Sequence, residues 1–220
     1  HRAFEKIAEH RAFYQITPLT DRLNYCSSPI NNMGWHMTVE KLLNIEIPKR
    51  VQYMRVIVME LARIADHIIC NGILGVDTGA FSGFLYLMQE REFIYEIYEE
   101  ICGARLTTNI GRIGGFERDF NDIAFAKINE FVNRFPAVLD EFEELFVRNR
   151  IFIERTSGVA AVTPEQALEY SWSGPILRAT GVDYDVRISD PYCSYEEFDF
   201  EVPVGTTGDV YDRFMVRNDE

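Results

Sequence analysis

The sequence predicts a mainly helical fold of the α+β class. Over three long stretches, apolar residues recur at spacings of three and four, the periodicity of an amphipathic helix. Short alternation of apolar and polar residues, which is typical of strands, appears only toward the C-terminus. With 220 residues, 47% of them hydrophobic, the chain is long enough to bury a core. This length allows one large domain or two small ones. Because no linker marks a boundary, we expect one unit, with a helical core over 1–150 and mixed helix and short strands over 151–220.

Three long helices carry the helical periodicity. They are expected to span Val51 to Gly72 or Gly75, Phe84 to Cys102, and Asp119 to about Arg148. The second has two apolar stripes, so we expect neighbouring helices on both sides of it. Pro136 lies inside the third and is expected to kink or split it, because proline removes a backbone hydrogen bond.

Shorter signals predict the remaining elements. Thr163–Gln166 combines an N-cap, a proline at the first helical position and a reciprocal glutamine cap, which predicts a short helix. Alternation over 184–188 and 198–202 predicts two short strands or extended segments, and 209–220 predicts another helix start. Gly111–Gly115 predicts a turn or loop. It is neither G-x-G-x-x-G nor a P-loop, so it does not indicate nucleotide binding.

The number and the placement of charged residues argue against nucleic-acid binding and against a membrane span. There are 22 basic and 35 acidic side chains, which gives a formal net charge of −13. This sign is wrong for a surface that collects phosphates, so nucleic acid is not expected as a partner. The most apolar stretch, Val51–Gly75, is interrupted by charged residues, so no membrane span is expected either.

The four cysteines indicate reduced thiols. Cys26, Cys70, Cys102 and Cys193 are far apart, and none belongs to a C-x-x-C pair. We therefore expect neither a structural zinc nor a cysteine-held iron–sulfur cluster within this chain. The opening run His1–Lys6 lacks the features of a signal peptide, so export is not expected.

Six short runs of residues are informative when their order and their spacing along the chain are considered together. They are His1–Lys6, Asp21–Tyr25, Val39–Leu43, Gly111–Gly115, Arg178–Arg187 and Gly208–Arg213. Together they resemble the family of the D, or 49-kilodalton, subunit of the respiratory NADH:quinone oxidoreductase, complex I. The resemblance covers all 220 residues and implies a fragment that lacks an N-terminal hairpin and a C-terminal part.

This family is similar to the large subunit of nickel–iron hydrogenases, so the resemblance implies a helical bundle of that kind. In the hydrogenases, two pairs of cysteines hold nickel. Asp21–Tyr25 lies where the first pair would be, and only Cys26 is nearby. A single thiol cannot assemble such a metal centre, so no metal is expected on this chain. The resemblance implies a cavity that admits a quinone instead.

The resemblance assigns the quinone site to two residues. Tyr25 matches the tyrosine that hydrogen-bonds the quinone headgroup, together with a histidine on a hairpin that precedes residue 1. Asp77 matches the aspartate that pairs with this histidine. Two alternatives stay open: Tyr25 as a buried tyrosine with a satisfied hydroxyl, and Asp77 as an Asx turn at the helix junction.

Three further residues are expected near the terminal iron–sulfur cluster, which a partner protein holds. Arg2 and Arg22 resemble arginines beside that cluster. Thr107 departs from the family, which commonly has a histidine linked to the cluster by hydrogen bonding. Threonine cannot take up a proton when the cluster is reduced. We therefore expect a lower, less pH-dependent cluster potential, and menaquinone is favoured over ubiquinone.

The resemblance implies a quinone-binding component in the peripheral arm of a proton-pumping NADH:quinone oxidoreductase, a translocase. Its expected partners resemble the B, C and I subunits of complex I and the H subunit of its membrane arm, with flavin and clusters held elsewhere. The expected location is the cytoplasmic face of a bacterial inner membrane, and the isolated fragment is expected to be inactive. A ferredoxin-fed or deazaflavin-fed relative and a purely structural scaffold remain the alternatives.

Overall fold

A computed structural model describes residues 3–220, and it confirms the mainly helical prediction. The α-helices are α1 Phe4–Ala8, α2 Thr17–Thr20, α3 Ser28–Leu43, α4 Lys49–Asp77, α5 Phe81–Cys102, α6 Asp122–Phe142, α7 Arg150–Thr156, α8 Pro164–Glu169, α9 Gly174–Arg178, α10 Val186–Ser189 and α11 Val210–Asp219. Short 3-10 turns cover Phe13–Gln15, Tyr25–Ser27 and Tyr195–Glu197, and a π-helical turn covers Glu143–Val147.

The chain divides into two compact units. The first comprises the residues up to Ile69 together with Leu87–Arg134, and the second comprises Cys70–Tyr86 together with Phe135–Glu220. Within residues 3–220, the one sheet is a short antiparallel hairpin of β1 Gly111–Arg112 and β2 Gly115–Phe116. This hairpin lies where the sequence predicted a turn or loop.

The three long helices are present, with bounds that differ from the predicted ones by a few residues. The sequence predicted that Pro136 would kink or split this helix, and helix α6 runs through Pro136 without a split. Phe135 and Phe142 are both buried, and burial of this apolar face outweighs the loss of one backbone hydrogen bond. The helix then passes into the π-helical turn Glu143–Val147.

Short strands or extended segments were the alternatives predicted near the C-terminus, and the strands are wrong. Residues 186–189 form helix α10, which Asp185 begins by accepting a hydrogen bond from the Arg187 N–H at 2.9 Å. Residues 198–202 are not a strand. The alternation of polar residues at 183–187 has another cause, because Asp185 and Arg187 are both buried in ion pairs. The alternating polar residues at 183–187 therefore do not form the solvent-facing side of a sheet.

The two predicted helix starts, one of them predicted from a capping pattern, are confirmed. The Thr163 hydroxyl accepts a hydrogen bond from the Gln166 N–H at 3.3 Å, and the Gln166 side chain accepts from the Thr163 N–H at 3.1 Å. At α11, the Asp209 carboxylate accepts from the Asp212 N–H at 2.8 Å. These contacts span only three residues, which is why the local sequence predicts them.

A buried ion pair connects three elements of the first unit. Arg55 on α4 donates to both carboxylate oxygens of Glu40 on α3, at 2.6 and 2.7 Å. Glu40 also accepts from the Gly114 N–H of the hairpin at 2.7 Å, and Arg55 donates to the Arg112 carbonyl at 3.3 Å. Burial raises the pKa of Glu40, but the hydrogen bonds from Arg55 and Gly114 outweigh it and hold this pKa below its ordinary value.

The second unit has an aromatic core and its own buried ion pairs. Phe214 of α11 packs against Phe152 of α7, with ring centroids 4.8 Å apart. Four charged side chains are also buried and pair with one another. They are Arg178, Asp185, Arg187 and Glu220. Two positive and two negative charges compensate each other, which is the condition for burying them.

Removing the positive charge of Arg55 from its ion pair with Glu40 is expected to destabilise the first unit strongly. R55M leaves the Glu40 carboxylate buried without a counter-ion, so we expect a loss of about 3–5 kcal/mol in the free energy of unfolding. The double variant R55M/E40L should lose much less than the two single variants added together. Urea titration of all four proteins measures this coupling, and strictly additive losses would contradict it.

Candidate functional site

Tyr25 lies on a turn that is tied to helix α4. The Asn24 side chain accepts a hydrogen bond from the Cys26 N–H at 3.3 Å and donates to the Ser27 hydroxyl at 2.7 Å. Asp66 of α4 accepts from Asn24 at 3.2 Å and from Ser27 at 3.4 Å. Asn24 is thus both the N-cap of the turn and its link to α4, which fixes the backbone of Tyr25.

The Tyr25 side chain itself is exposed. It retains 56% of its accessible surface, and its hydroxyl has no hydrogen-bond partner within residues 3–220. The alternative of a buried tyrosine with a satisfied hydroxyl therefore does not describe this residue. A phenol on a fixed turn is free to donate a hydrogen bond to a ligand.

Asp77 is the last residue of α4 and belongs to the second unit, whereas Tyr25 belongs to the first. Its carboxylate is exposed and, in the described part of the chain, makes no hydrogen bond or ion pair. The helix end is instead satisfied by Thr78, whose hydroxyl donates to the carbonyls of Leu74 and Gly75 at 2.9 and 3.0 Å. Thr78, and not Asp77, therefore makes the side-chain hydrogen bonds at this helix end.

The loop that contains Thr107 is joined to the chain segment that contains Arg22. The Asn109 N–H donates to the Asp21 carboxylate at 3.4 Å. The Arg22 side chain is 57% exposed, donates to the Pro18 carbonyl at 2.5 Å and lies 3.7 Å from Asp21. Thr107 is half-buried and has a φ of 49°, a left-handed conformation.

Arg2, the other arginine predicted beside the cluster, lies outside the described residues. Of the three positions expected near the cluster, the structure therefore describes Arg22 and Thr107. Both belong to the first unit, which also contains Tyr25.

Asp21 is a candidate that the sequence analysis did not single out. Its side chain is fully buried, and its Oδ2 atom has no hydrogen-bond partner in the described structure. Burial raises the pKa of this carboxyl, against the lowering effects of Asn32, Asn109 and Arg22. Asp21 therefore holds a proton to a higher pH than an ordinary aspartate. Its position as the first residue of the run Asp21–Tyr25 was the only signal in the sequence.

His36 is a buried histidine of the same unit. Its Nε2 atom is 3.0 Å from the Thr17 hydroxyl, and its side chain is fully buried. Burial, followed by the nearby charge of Arg55, lowers its pKa to about 4. The imidazole also fills the space beside Gly111, where a Cβ atom would come within 2.7 Å of Nδ1. His36 is thus a neutral packing residue at neutral pH.

One small cleft of the first unit lies beside the Thr107 loop. Its volume is about 160 Å³, and its lining includes Cys102, Thr108, Asn109 and Arg112. None of the residues predicted for the quinone or cluster contacts lines it. In the part of the chain that the structure describes, no three His, Cys, Asp or Glu side chains converge as metal ligands. Among the same residues, no helix has the length and apolar character to cross a bilayer.

Comparison with known proteins gives a consistent match. Residues 77–220 match the family described as respiratory-chain NADH dehydrogenase, 49 Kd subunit. Over all 220 residues, the chain is 73% identical to the NADH-quinone oxidoreductase D 2 subunit of Cytophaga hutchinsonii, of which it covers 56%. It is 72% identical to the D subunit of Flavobacterium johnsoniae, covering 53%, and 51% identical to that of Leptospira biflexa, covering 54%. The chain thus spans about half the length of these curated relatives.

The stability of the first unit is expected to fall as the pH is lowered from 6.5 to 4. In this range the unfolded chain protonates His36, whose ordinary pKa is 6.5, while the folded state keeps it neutral down to about 4. The contribution is complete above pH 6.5, and at most about 3 kcal/mol is lost by pH 4. H36Q should flatten this part of the curve of unfolding free energy against pH. H10Q, at an exposed histidine, is the matched control and should leave the slope unchanged.

Proposed function

The chain belongs to the 49-kilodalton subunit family of respiratory-chain NADH dehydrogenases, and we propose that it forms one wall of the chamber in which this enzyme reduces quinone. Membership of the family confirms the resemblance carried by the six sequence runs. Because the chain spans about half the length of its relatives, the activity, substrate and partners of the whole protein are all part of the proposal.

One observation carries the quinone assignment: Tyr25 presents an exposed phenol on a turn that Asn24, Ser27 and Asp66 hold in place. Reduction of a quinone to a quinol adds two electrons and two protons, and the protons go to the two carbonyl oxygens. A phenol that is aimed before the substrate arrives donates its hydrogen bond without reorganising at the moment of reaction.

Asp77 supports a second part of the proposal. An exposed carboxylate without an internal partner is suited to bind an imidazole from a segment outside this chain. Such a pair would orient the imidazole and keep it protonated, so that it could deliver the second proton. In this scheme, Tyr25 and the histidine act on the quinone, and Asp77 acts through the histidine as a positioning residue.

The electrons are proposed to come from the terminal iron–sulfur cluster of a partner that resembles the B subunit of complex I. Arg2 and Arg22 would place positive charge beside that cluster, which favours its reduced form. NADH oxidation would occur on a flavin-binding partner. Further partners would resemble the C and I subunits and the H subunit of the membrane arm, where proton pumping would occur, at the cytoplasmic face of a bacterial inner membrane.

Thr107 bears on the kind of quinone. Where the family commonly has a histidine, the threonine of this chain cannot accept a proton on reduction of the cluster. We therefore propose a cluster potential that is low and only weakly dependent on pH, suited to menaquinone. The same sequence would also serve a ferredoxin-fed or deazaflavin-fed relative, because the electron donor is set by other subunits.

Removing the Tyr25 hydroxyl is expected to abolish most quinone reduction. In the assembled complex, Y25F should lower the quinone reductase kcat by about 100-fold or more, the usual contribution of a positioned proton donor. Y14F removes the hydroxyl of another tyrosine of the same unit, which is 64% exposed, and should leave the rate unchanged. Activity is measured with a quinone analogue, and assembly is checked by native gel electrophoresis.

The same pair of variants distinguishes the enzyme role from the scaffold role. A Y25F complex that assembles and keeps full quinone reductase activity would favour a structural scaffold. D77N should lower activity as well, and its rate should depend on pH differently, because the histidine would lose its anionic partner.

The cluster potential is expected to depend only weakly on pH. An EPR redox titration of the complex should give a slope well below the value of about 59 mV per pH unit for one proton per electron. T107H should steepen this slope, whereas T107S should not. D21N in the same titration measures any contribution of the buried carboxyl bound to the Thr107 loop. A steep slope in the unsubstituted complex would contradict the assignment.

A further inference from the structure

Among residues 3–220, four arginines are buried, and one of them differs from the others. The four are Arg55, Arg91, Arg178 and Arg187. Three of them lie within ion-pair distance of a buried carboxylate, at 2.6 Å for Arg55, 3.1 Å for Arg178 and 2.7 Å for Arg187. Arg91 of α5, only 6% exposed, has no such partner within the described residues.

The surroundings of Arg91 supply an aromatic ring in place of an acid. Its guanidinium lies 4.5 Å from the centroid of the Tyr95 ring, one helical turn further along α5. Its Nε atom is fully buried and has no hydrogen-bond partner in the described structure. The guanidinium of Arg105 lies 5.9 Å from the same ring. Two cations thus share one aromatic ring, although the chain as a whole is strongly acidic.

The acids adjacent to Arg91 in the sequence are already paired with other cations. Glu90 forms an ion pair with Arg134 of α6, and Glu92 forms one with Arg105. Neither of them lies within ion-pair distance of Arg91 in the described structure. The positive charge at this position is therefore left uncompensated by the part of the chain that the structure describes.

The cost of burying the Arg91 charge has to be compared with the gain from its contact with the Tyr95 ring. Burying an unpaired ion is costly even after the surroundings relax and water penetrates. A cation–π contact with one tyrosine ring offsets only part of that cost. A buried arginine that is stable in the working protein therefore needs an anion. We propose that Arg91 is a binding site for a protein carboxylate supplied from outside this chain.

Arg91 is buried whether or not substrate is bound, so its anion must be present permanently. This requirement indicates which kind of molecule supplies the anion. A quinone is uncharged and leaves in each turnover, so it could not neutralise Arg91 in the resting enzyme. A carboxylate side chain stays in place and can accept two parallel hydrogen bonds from a guanidinium. It has two sources: the rest of this polypeptide, whose relatives are about twice as long, or another polypeptide of the complex.

The position of the site connects it to the Tyr25 turn. Burial is the main cause that raises the pKa of the Tyr95 phenol, Arg91 lowers it, and Cys26 contributes a further rise. Cys26, which directly follows Tyr25, is thus within electrostatic range of Tyr95, one helical turn from Arg91. The carboxylate would therefore dock against the first unit close to this turn. Its docking does not require that Tyr25 act on a quinone.

Zero-length crosslinking identifies the carboxylate directly. R91K places an amine at the site, and a carbodiimide couples an amine only to a carboxylate in contact with it. Treatment of the assembled R91K complex, followed by peptide mass spectrometry, should give a crosslink from position 91 to an Asp or Glu outside residues 3–220. A crosslinked peptide from the same polypeptide or from another one tells the two sources apart.

R55K is the matched control, because its partner is known. It should crosslink to Glu40 within the first unit. A complex in which R55K crosslinks and R91K does not would overturn the proposal. A crosslink from position 91 to an acid of residues 3–220 would overturn it too. Loss of the R91K crosslink on addition of a quinone-site inhibitor would assign Arg91 to the quinone and have the same consequence.

The stability of the R91M complex gives a second, independent measurement. If Arg91 is paired in the complex, R91M leaves the carboxylate without its cation and should lower the thermal midpoint of dissociation by several degrees. If Arg91 is unpaired, removing a buried charge should leave the midpoint unchanged or raise it, and the proposal fails. If R91M does not assemble at all, the R91K crosslink decides alone.

Discussion

The first unit depends on the buried pair of Arg55 and Glu40. It is the contact at which α3, α4 and the hairpin meet, because Glu40 binds both the arginine and a hairpin amide. Fixing α4 at Arg55 also fixes Asp66, which lies about 16 Å further along the same helix axis. Asp66 in turn holds the turn that carries Tyr25. A buried ion pair therefore determines where the candidate site is placed.

Most buried charges in the described part of this chain lie in ion pairs, and Asp209 of the second unit is bound by two backbone N–H groups instead. In the second unit, two arginines and two acids neutralise one another. In the first unit, Arg91 has no counter-ion among the described residues, and the buried Oδ2 atom of Asp21 has no hydrogen-bond partner, although Arg22 lies 3.7 Å away. Uncompensated groups cost free energy in an isolated chain. They are expected in a protein whose surfaces are completed by other polypeptides.

The resemblance to nickel–iron hydrogenases that the sequence implies would give this pattern a chemical meaning. A nickel centre needs thiolates at fixed positions, and the run Asp21–Tyr25 offers only Cys26 in their place. The structure has instead an exposed phenol, an exposed carboxylate at Asp77 and a buried acid at Asp21. In the proposed function, the phenol of Tyr25 donates a hydrogen bond to the quinone, and Asp77 positions a histidine. The proposed function therefore replaces metal ligation with proton delivery to a quinone.

The sequence by itself determined the helical class, the family and the helix starts at Thr163 and Asp209. These follow from contacts between residues three or four apart, or from motifs read directly from the chain. The burial of Asp21, its bond to Asn109 at a separation of 88 residues and the lack of a described partner for Arg91 were decided by tertiary structure. The same holds for residues 183–187. Their alternation resembles that of a strand, but Arg187 is buried because it pairs with the distant Glu220. Charge compensation depends on distances between segments far apart in the chain, and local periodicity carries no information about those distances.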